Sequence, residues 1–298
     1  IMKIPRLLKP NDKVVILSPS GKIEPQWIEG LKKELTWYGL KVSVSEHALC
    51  EYGRFAGTDE ERIKDLQDAI NDPQVRAIFC SRGGYGLARI IDKIDFSPLK
   101  DDPKWVVGFS DITVLHNALS LVGVASIHGI MAKHITLRAE GLDNLMAMLF
   151  GKNVGYEVAS HEMNKVGEAS GQLIGGNLSV LYGLRGTPFD LDYEGKILFI
   201  EDLSERLYHV DRMIQNLRLG GVFKQIKGLV AGQFTDIDED DSFPNGVYGV
   251  ISEAVKDCNI PVCFNFPAGH VDNNQPLKMG ANYKLEVLKD KSILKCLN

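Results

Sequence analysis

Strand-like runs alternate with segments of helical spacing through the first 120 residues. The strand-like runs read "KVVILSPSG" (13–21), "KVSVSEHAL" (41–49), "VRAIFCSRGGYG" (75–86) and "WVVGFSD" (105–111). The helical segments between and after them are 26–39, 58–73 and 87–94. Strands that are separated by helices pair in parallel, because each connection returns along the sheet through a helix. The alternation predicts an α/β fold whose N-terminal sheet is doubly wound, mostly parallel and flanked by helices.

The pattern changes after about residue 135. Later segments predict a helix at 142–151, irregular strands and a short helix at 154–184, a strand–helix–strand unit at 196–234, and a hairpin at 284–294. We therefore expect a smaller, β-rich C-terminal domain. The predicted division is an α/β domain at 1–140, a linker at 141–165 and the β-rich domain at 166–298.

Composition and charge narrow the classes of function. The net charge is −5 and no cluster of Lys or Arg stands out, which argues against a nucleic-acid partner. No apolar run has the length of a membrane span, so we expect no membrane association. The segment "IMKIPRLLKPNDKVVILSPSG" has no signal-peptide apolar region that ends in small residues. The five scattered cysteines predict reduced thiols in a cytoplasmic protein.

Metal-binding patterns are also missing from the sequence. The five cysteines are scattered, and Cys258 and Cys263 stand five positions apart, which matches no common zinc spacing. The acidic stretch "DIDEDD" (236–241) lacks the glycine and the distal glutamate of a calcium loop and predicts a solvated loop. We expect reduced thiols and no metal.

A serine on a strand-to-helix turn is the first candidate for chemistry. In "WVVGFSDITVLHNAL" (105–119), Gly108, Ser110 and Asp111 stand where the apolar run ends. Such a turn exposes the hydroxyl and directs backbone N–H groups at the reacting centre. The G-x-S-x-G motif is only half present, because Ile112 replaces the second glycine, which argues against an ordinary esterase. Ser110 is either a nucleophile or, together with Asp111, a helix cap.

Consecutive glycines in "CSRGGYGLARI" (80–90) are the second candidate. Glycine lets backbone N–H groups approach a ligand closely, so this loop could hold a phosphate or supply an oxyanion donor. No Lys-Ser/Thr pair follows, so the loop is not a P-loop, and the spacing is not G-x-G-x-x-G. The alternative is a tight turn without a ligand.

A nucleophilic serine needs a base to take its proton. The chain has seven histidines: His47, His116, His128, His134, His161, His209 and His270. His116 lies in the helix after Ser110, and His128 and His134 flank an apolar run and fit core positions. His270 differs because it lies in the loop "FNFPAGHVDNNQP" (264–276), and histidines on loops commonly act as bases.

A carboxylate should orient the imidazole and stabilise its protonated form. Glu201 directly follows the apolar run "ILFI" and is therefore placed at the end of a rigid strand. Asp202 and Glu205 are nearby rivals. Asp202 and Ser204 suit the alternative role of capping the next helix better than Glu201 does.

These segments together resemble the LD-carboxypeptidase family of serine peptidases, which trim murein peptides. The matching segments are "KPNDKVVILSPSG", "GRFAGTDEERIKDLQDAINDPQVRAIFCSRGGYGLARII", "GFSDIT", "GQLIGGNLSVLYGLRGTPF", "LFIEDLSERLYHVDRMIQNL" and "FPAGH". They cover most of the chain in the family's order. The resemblance implies the same two-domain fold, with the serine in the first domain and the glutamate and histidine in the second.

The resemblance also implies the role of each site residue. Ser110 would be the nucleophile, His270 the general base and Glu201 its orienting partner. The oxyanion donors would be the backbone N–H groups of Asp111 and of a glycine in the RGGYG loop, Gly84. The implied reaction releases D-alanine from the L-centre of a diamino acid through an acyl-enzyme, without a metal or cofactor. The family is typically cytoplasmic, acts in cell-wall recycling and often forms homodimers.

Two alternatives stay open at this point. A related branch hydrolyses the acyl-sulfamoyl or phosphoramidate linkage of microcin C-type antibiotics, although "EDLSERLYHVDRM" is more similar to the murein-recycling branch. A nucleotide- or sugar-binding module would use the glycine loops without chemistry. For a peptidase, recognition of a free terminal carboxylate requires a cation or an array of N–H donors. The candidates for substrate binding are Arg54, Arg82, Arg206 and Tyr85.

Overall fold

The computed structural model describes residues 2–135 and 140–297. Its strands are β1 (Lys13–Leu17), β2 (Lys41–Val44), β3 (Val75–Cys80), β4 (Trp105–Gly108), β5 (Ser126–His128), β6 (Gly155–Ala159), β7 (Gly167–Asn177), β8 (Ile197–Leu203), β9 (Gly228–Thr235), β10 (Val262–Cys263), β11 (Leu277–Met279), β12 (Asn282–Val287) and β13 (Lys291–Cys296).

The helices are α1 (Pro25–Trp37), α2 (Asp59–Asn71), α3 (Pro98–Asp101), α4 (Thr113–Leu121), α5 (Glu140–Leu149), α6 (Leu178–Leu184), α7 (Leu207–Leu219), α8 (Val222–Gln225) and α9 (Gly246–Ala254). Single 3₁₀ turns occur at Leu87–Arg89, Ile91–Lys93, Ser110–Ile112 and Ala132–His134. Within the described ranges, no helix combines the length and the apolar character needed to cross a bilayer.

Contacts group the chain into two units. The first comprises Ile1–Asn153 with Asp272–Gly280, and the second Val154–Val271 with Ala281–Asn298. The predicted division at 1–140, 141–165 and 166–298 assigned α5 to a linker and residues 272–280 to the C-terminal domain. In the structure α5 packs within the first unit, and β11 joins that unit's sheet because it pairs with β5. As a division into independently folding domains, the predicted boundaries stay a prediction.

The first unit contains a six-stranded sheet in the order β11-β5-β4-β3-β1-β2. Strands β1 to β5 are parallel to one another, and β11 runs antiparallel to β5. The predicted doubly wound, mostly parallel sheet is therefore confirmed. The strand order reverses at β1, so the loops after β1 and β3 leave neighbouring carboxyl ends at the switch point, where open α/β sheets bind ligands.

Local sequence explains the helix that follows β2. Thr58 caps α2 through a capping box with Glu61, in which each side chain accepts a hydrogen bond from the other residue's backbone N–H. The buried positions of α2 are Arg62, Asp65, Leu66, Ala69 and Ile70, which share one face of the helix. Two charged side chains, Arg62 and Asp65, stand on this otherwise apolar stripe, which is unusual and points to a specific role for each of them.

The segment after the RGGYG loop differs from the prediction. Helical spacing at 87–94 predicted a helix, but the chain forms two separate 3₁₀ turns there. Gly86 has φ = 146°, and the Leu87 N–H donates to the Asp111 carboxylate at 3.0 Å. The first N–H of the segment is thus bonded to a side chain, and the apolar residues that suggested a helix, such as Ile90 and Ile91, are buried beneath the turns.

The second unit is built on a seven-stranded sheet in the order β10-β9-β8-β7-β12-β13-β6. The sheet is parallel from β10 to β7 and antiparallel from β7 to β6. Strand β7 serves both halves, because its first part pairs with β12 and its last five residues pair with β8. The predicted hairpin is β12–β13, and the sheet-rich C-terminal architecture is confirmed.

An apolar core fixes the parallel half of this second sheet. Helices α6, α7 and α9 cover it with residues such as Leu181, Met213 and Ile251, which pack with Leu198 and Ile200 of β8. Burial of a large side chain of this kind contributes roughly 1.5–3 kcal/mol. The ends of β8 and β9 are therefore rigid positions from which side chains can be held in place.

Candidate active site

Ser110 occupies a strained turn at the carboxyl end of β4. Its φ is +65°, a left-handed conformation that non-glycine residues rarely adopt. The residue starts the 3₁₀ turn Ser110–Ile112, which leads directly into α4. Gly108 is required at the end of β4, because a Cβ there would lie 2.8 Å from the Ile112 side chain. Backbone strain of this kind, of the order of 1–3 kcal/mol, is commonly retained at functional sites.

The RGGYG loop lies directly against this turn. A Cβ on Gly83 would stand 2.8 Å from the Ser110 Cβ, 3.0 Å from its Oγ and 3.3 Å from the Asp111 backbone nitrogen. The Gly83 carbonyl accepts a hydrogen bond from the Gly21 N–H at 2.9 Å. In a trans peptide the N–H of Gly84 points the opposite way from that carbonyl. Sequence reasoning singled out Gly84 and overlooked Gly83, the glycine that contacts the serine.

The Asp111 side chain holds two loops beside the serine. It is buried, and its Oδ2 accepts hydrogen bonds from the Ser20 hydroxyl at 2.6 Å and from the Leu87 N–H at 3.0 Å. Burial raises the pKa of Asp111, while the Ser20 and Leu87 hydrogen bonds and the Arg62 charge act in the opposite direction. Asp111 therefore ties together the loop after β1, the loop after β3 and the serine turn.

His116 anchors the strand that carries the serine. Its Nε2 donates to the Gly108 carbonyl at 2.8 Å, and its Nδ1 accepts from the Ser126 hydroxyl at 2.7 Å. Burial lowers the pKa of His116 to about 4, so the ring is neutral near pH 7. His128 and His134 both contact the Phe109 ring in the core. His116 and His128 are buried, as the sequence suggested for His128, whereas His134 is only half-buried.

A histidine and a carboxylate form a close pair in the second unit. The Nδ1 of His270 lies 2.7 Å from Oε2 of Glu201, and the Glu201 side chain is fully buried. A carboxylate only accepts hydrogen bonds, so Nδ1 carries a proton, and the neutral tautomer with that proton has its lone pair on Nε2. The pairing register shifts between Ile200 and Asp202, where two residues of β9 stand opposite Glu201, so a bulge in β9 lies beside the glutamate. Bulges commonly re-aim a side chain beside a site.

The loop before His270 requires glycine at one position. Gly269 has φ = 133°, and a Cβ there would lie 3.1 Å from both Cβ and Oε2 of Glu201. The loop is fastened to β9 by the hydrogen bond from the Gln233 N–H to the Ala268 carbonyl at 2.9 Å. The backbone thus approaches Glu201 closely enough to hold the imidazole against its carboxylate.

The Asn177 side chain bonds to both Glu201 and its neighbour Asp202. The Asn177 amide donates to Oε1 of Glu201 at 3.3 Å and to Oδ1 of Asp202 at 3.0 Å. The Ser179 N–H donates to Oδ2 of Asp202 at 2.8 Å. Burial first, and the Glu201 charge second, raise the pKa of Asp202 to about 7. Of the two rival carboxylates, Asp202 shares the Asn177 amide with Glu201, whereas Glu205 pairs with His209 at 2.6 Å.

The predicted substrate-binding residues lie in different places. Arg54 and Tyr85 come together, with the guanidinium 5.8 Å from the ring centroid, and Tyr85 is 44% exposed. Arg82 donates to the Lys22 carbonyl at 2.8 Å, so part of its guanidinium holds a loop. Arg206 lies in the second unit at the start of α7 and pairs with Asp238.

Sequence reasoning missed Ser20, Arg62 and Asn177, whose side chains hold the parts of the site in place. Arg62 offered a signal, because it stands on the apolar stripe of α2, where a charged residue needs a specific partner. Asn177 also offered one, since it precedes a predicted helix. No group of three or more potential metal ligands occurs among the residues that the structure describes.

Two family models match the chain. The LD-carboxypeptidase N-terminal domain matches residues 14–129, and the LD-carboxypeptidase C-terminal domain matches residues 170–285. Together they span the segments that contain Ser110, Glu201 and His270. The putative carboxypeptidase slr1534 of Synechocystis sp. is 35% identical over 288 residues, which cover 95% of this chain and 94% of the relative.

Solved structures agree with the family models. The muramoyltetrapeptide carboxypeptidase of Oxalobacter formigenes superposes with a TM-score of 0.88 and 29% identity, over 96% of this chain and 99% of its own. An MccF-like protein of Bacillus anthracis str. Ames superposes with a TM-score of 0.85 and 25% identity, over 99% and 100%. With both domains matched in order and a relative similar over nearly its whole length, the chain belongs to the LD-carboxypeptidase family of peptidases.

Proposed function

We propose that this chain is a serine-type LD-carboxypeptidase that removes the terminal D-alanine from murein tetrapeptides during peptidoglycan recycling. Membership of the peptidase family supports the reaction type. The similarity to a muramoyltetrapeptide carboxypeptidase supports the substrate. The observation that carries the proposal is the strained Ser110, whose φ of +65° occurs at the strand-to-helix turn against which the RGGYG loop packs.

In the first step Ser110 Oγ attacks the carbonyl carbon of the bond between the L-diamino acid and D-alanine. His270 Nε2 takes the hydroxyl proton, and Glu201 stabilises the imidazolium that results. The hydrogen bond between Nδ1 and Glu201 supports this role, since it fixes the tautomer whose lone pair is on Nε2. The carbonyl π electrons move to its oxygen and give a tetrahedral oxyanion.

Backbone N–H groups stabilise that oxyanion. We assign the donors to Asp111 and Gly84, from the serine turn and the RGGYG loop. Their support is the close approach of Gly83 to both Ser110 and the Asp111 nitrogen. Each such donor is worth roughly 10²–10³ in kcat.

The leaving group then departs as free D-alanine. The imidazolium of His270 donates its proton to the amine nitrogen as the C–N bond breaks, which leaves an ester on Ser110. Water attacks this ester while His270 takes a proton from the water, and His270 then returns that proton to Ser110 Oγ as the ester bond breaks and the tripeptide leaves. Neither half of the cycle requires a metal or a redox cofactor. For the terminal carboxylate of the substrate we propose Arg54, Arg82 and Arg206 as candidate partners, and Tyr85 as a packing surface.

The decisive experiment replaces the nucleophile. Ser110→Ala should abolish release of D-alanine from tetrapeptides that carry lysine or meso-diaminopimelate at the third position, followed by mass spectrometry. Far-UV circular dichroism should be unchanged. Ser120→Ala, on the helix that follows the serine turn, is the matched control and should keep full turnover. Unchanged turnover by Ser110→Ala would rule out the nucleophile assignment.

A second candidate function is the hydrolysis of microcin C-type antibiotics for self-immunity. The similarity to an MccF-like protein over the whole chain favours it. The same triad would attack an acyl-sulfamoyl or phosphoramidate linkage instead of a peptide bond. The two are separated by comparing kcat/KM for the tetrapeptides and for an aminoacyl-sulfamoyl nucleoside. Binding of the nucleoside without turnover of any substrate would instead support the non-catalytic module.

We also propose that the protein acts in the cytoplasm as a homodimer, with a small peptide as its partner and neither nucleic acid nor membrane. The net charge of −5 supports the last two points. Light scattering coupled to size-exclusion chromatography tests the dimer. A mass near 33.0 kDa would indicate a monomer, and one near twice that value would support the proposal.

A further inference from the structure

A buried arginine lies beneath the loops that surround Ser110. Arg62 is on the inward face of α2, and its side chain has 0% exposure. A buried charge is costly unless hydrogen bonds and an opposite charge compensate for it. Asp59, one turn earlier on the same helix, supplies the opposite charge, and the Phe55 ring lies 4.9 Å from the guanidinium carbon.

The guanidinium joins two loops. Its Nη1 donates to the Pro19 carbonyl at 3.1 Å and to the Gly86 carbonyl at 3.0 Å. Pro19 belongs to the loop after β1, and Gly86 ends the RGGYG loop after β3. The fit is close, because a Cβ on Gly86 would stand 2.6 Å from that same nitrogen. Arg62 therefore fixes the separation of the two loops at the switch point of the sheet.

Asp111 holds the same two loops from the other side. Its Oδ2 accepts from the Leu87 N–H at 3.0 Å, and that N–H belongs to the same peptide group as the Gly86 carbonyl. Oδ2 also accepts from the Ser20 hydroxyl at 2.6 Å, directly after Pro19. The peptide between Gly86 and Leu87 is thus held by a cation at its oxygen and by a carboxylate at its nitrogen.

This arrangement determines where the glycines of the loop lie. Gly83 is in contact with Ser110, and its carbonyl is held by Gly21 of the loop after β1. Any shift of the Gly86 end, or of the loop after β1, would move the peptide between Gly83 and Gly84 relative to Ser110 Oγ. A misplacement of about 1 Å can cost of the order of 10² in rate.

We infer that Arg62 is a positioning residue which, together with Asp111, places the oxyanion donor of the RGGYG loop against Ser110. The inference rests on the proposed function, because the oxyanion exists only if Ser110 is the nucleophile. A donor that acts on the transition state changes kcat and leaves KM nearly constant. This separates a positioning role from a binding role or a purely structural one.

The test compares Arg62→Met with wild-type enzyme on a tetrapeptide ending in D-alanine. Methionine keeps much of the apolar stem and removes every donor. We expect kcat to fall about tenfold to hundredfold while KM changes by less than about threefold. Arg89→Met is the matched control: Arg89 also pairs with Asp59, is 48% exposed, and should retain wild-type kcat after substitution.

If Arg62→Met does not fold, the kinetics of Ser20→Ala are measured in its place. This substitution deletes a single hydroxyl from the other side of the same arrangement, and we expect kcat to fall severalfold at constant KM. The variant that decides the test is Arg62→Met or, if that protein does not fold, Ser20→Ala. The inference is overturned if this variant keeps wild-type kcat, even with a lower melting temperature, or if only its KM rises. It is also overturned if Arg89→Met loses kcat equally. Turnover by Ser110→Ala would instead contradict the proposed function itself.

Discussion

Asp202 and Glu201 are consecutive residues of β8 whose carboxylates are both buried and both accept a hydrogen bond from the Asn177 amide. Two negative charges so close together in a buried site repel each other, so one of them is favoured in its protonated form. Asp202 is the protonated one, because burial and the Glu201 charge raise its pKa to about 7. Protonation of Asp202 removes this repulsion beside the hydrogen bond between Glu201 and His270.

This relationship predicts a pH dependence of stability. Asp202 binds its proton in the folded state up to about pH 7, whereas the unfolded chain releases it near 3.8. Between these values the folded state holds one more proton, so the free energy of unfolding falls as pH rises, by about 1.4 kcal/mol per pH unit. Asp202→Asn should remove this slope. Urea denaturation followed by circular dichroism from pH 4 to pH 8 measures it, and equal slopes in both proteins would contradict the assignment.

Glu201→Gln tests the charge that stabilises the imidazolium. The amide has nearly the same shape, but it is neutral and can turn its NH₂ towards Nδ1, which would favour the wrong tautomer. We expect kcat/KM for the tetrapeptide to fall by roughly 10³–10⁴. Asp65→Asn is the control, because Asp65 holds the Nδ1 of His47 at 2.8 Å in a pair that the proposed reaction does not use. A loss of less than tenfold in Glu201→Gln would count against its proposed role.

The order β1, α1, β2, α2, β3 and β4 followed from the sequence, because apolar runs separated by amphipathic segments have few alternatives to a parallel sheet. The turn at Ser110 was visible for the same reason, since Gly108, Ser110 and Asp111 end such a run. The pairing of β11 with β5 was not predictable, because three residues at Leu277–Met279 have no periodicity and their partner is far away in the chain.

Contacts between distant polar side chains were equally hidden. The hydrogen bond from Ser20 to Asp111 joins residues 91 positions apart, and no local pattern in either segment predicts it. Arg62 was overlooked because its loop partners, the Pro19 and Gly86 carbonyls, lie 43 and 24 positions away in the chain. The pattern supplied the elements, whereas the contacts that fix the site depend on tertiary packing.

Gly83→Ala probes the space beside the nucleophile. The new methyl group would lie within 3.0 Å of Ser110 Oγ and would obstruct the approach of a carbonyl carbon and its oxyanion. We expect kcat/KM to fall at least about 10²-fold. Gly53→Ala serves as the control, since no atom lies within 4 Å of its Cβ position, although its φ of +59° carries a cost of about 1 kcal/mol in stability. Equal activity of the two variants would show that Gly83 does not border the reacting centre.

His116 predicts an acid sensitivity opposite in sign to the effect of Asp202. Burial lowers its pKa from 6.5 to about 4, so between these values the unfolded chain binds a proton that the folded protein excludes. Stability is therefore lost as pH falls from 6.5 towards 4, by up to about 1.4 kcal/mol per unit. His116→Gln should flatten this loss, because glutamine is uncharged throughout and can still donate to the Gly108 carbonyl.

Tryptophan fluorescence reports on the unit that contains His116. Trp27, Trp37 and Trp105 all lie in the first unit with His116, whereas Asp202 lies in the second. Urea titrations followed by fluorescence at pH 4.5, 5.5 and 6.5 should show the wild type losing stability towards low pH and His116→Gln losing markedly less. Should both proteins lose it equally, other groups of the first unit would be responsible for the acid sensitivity.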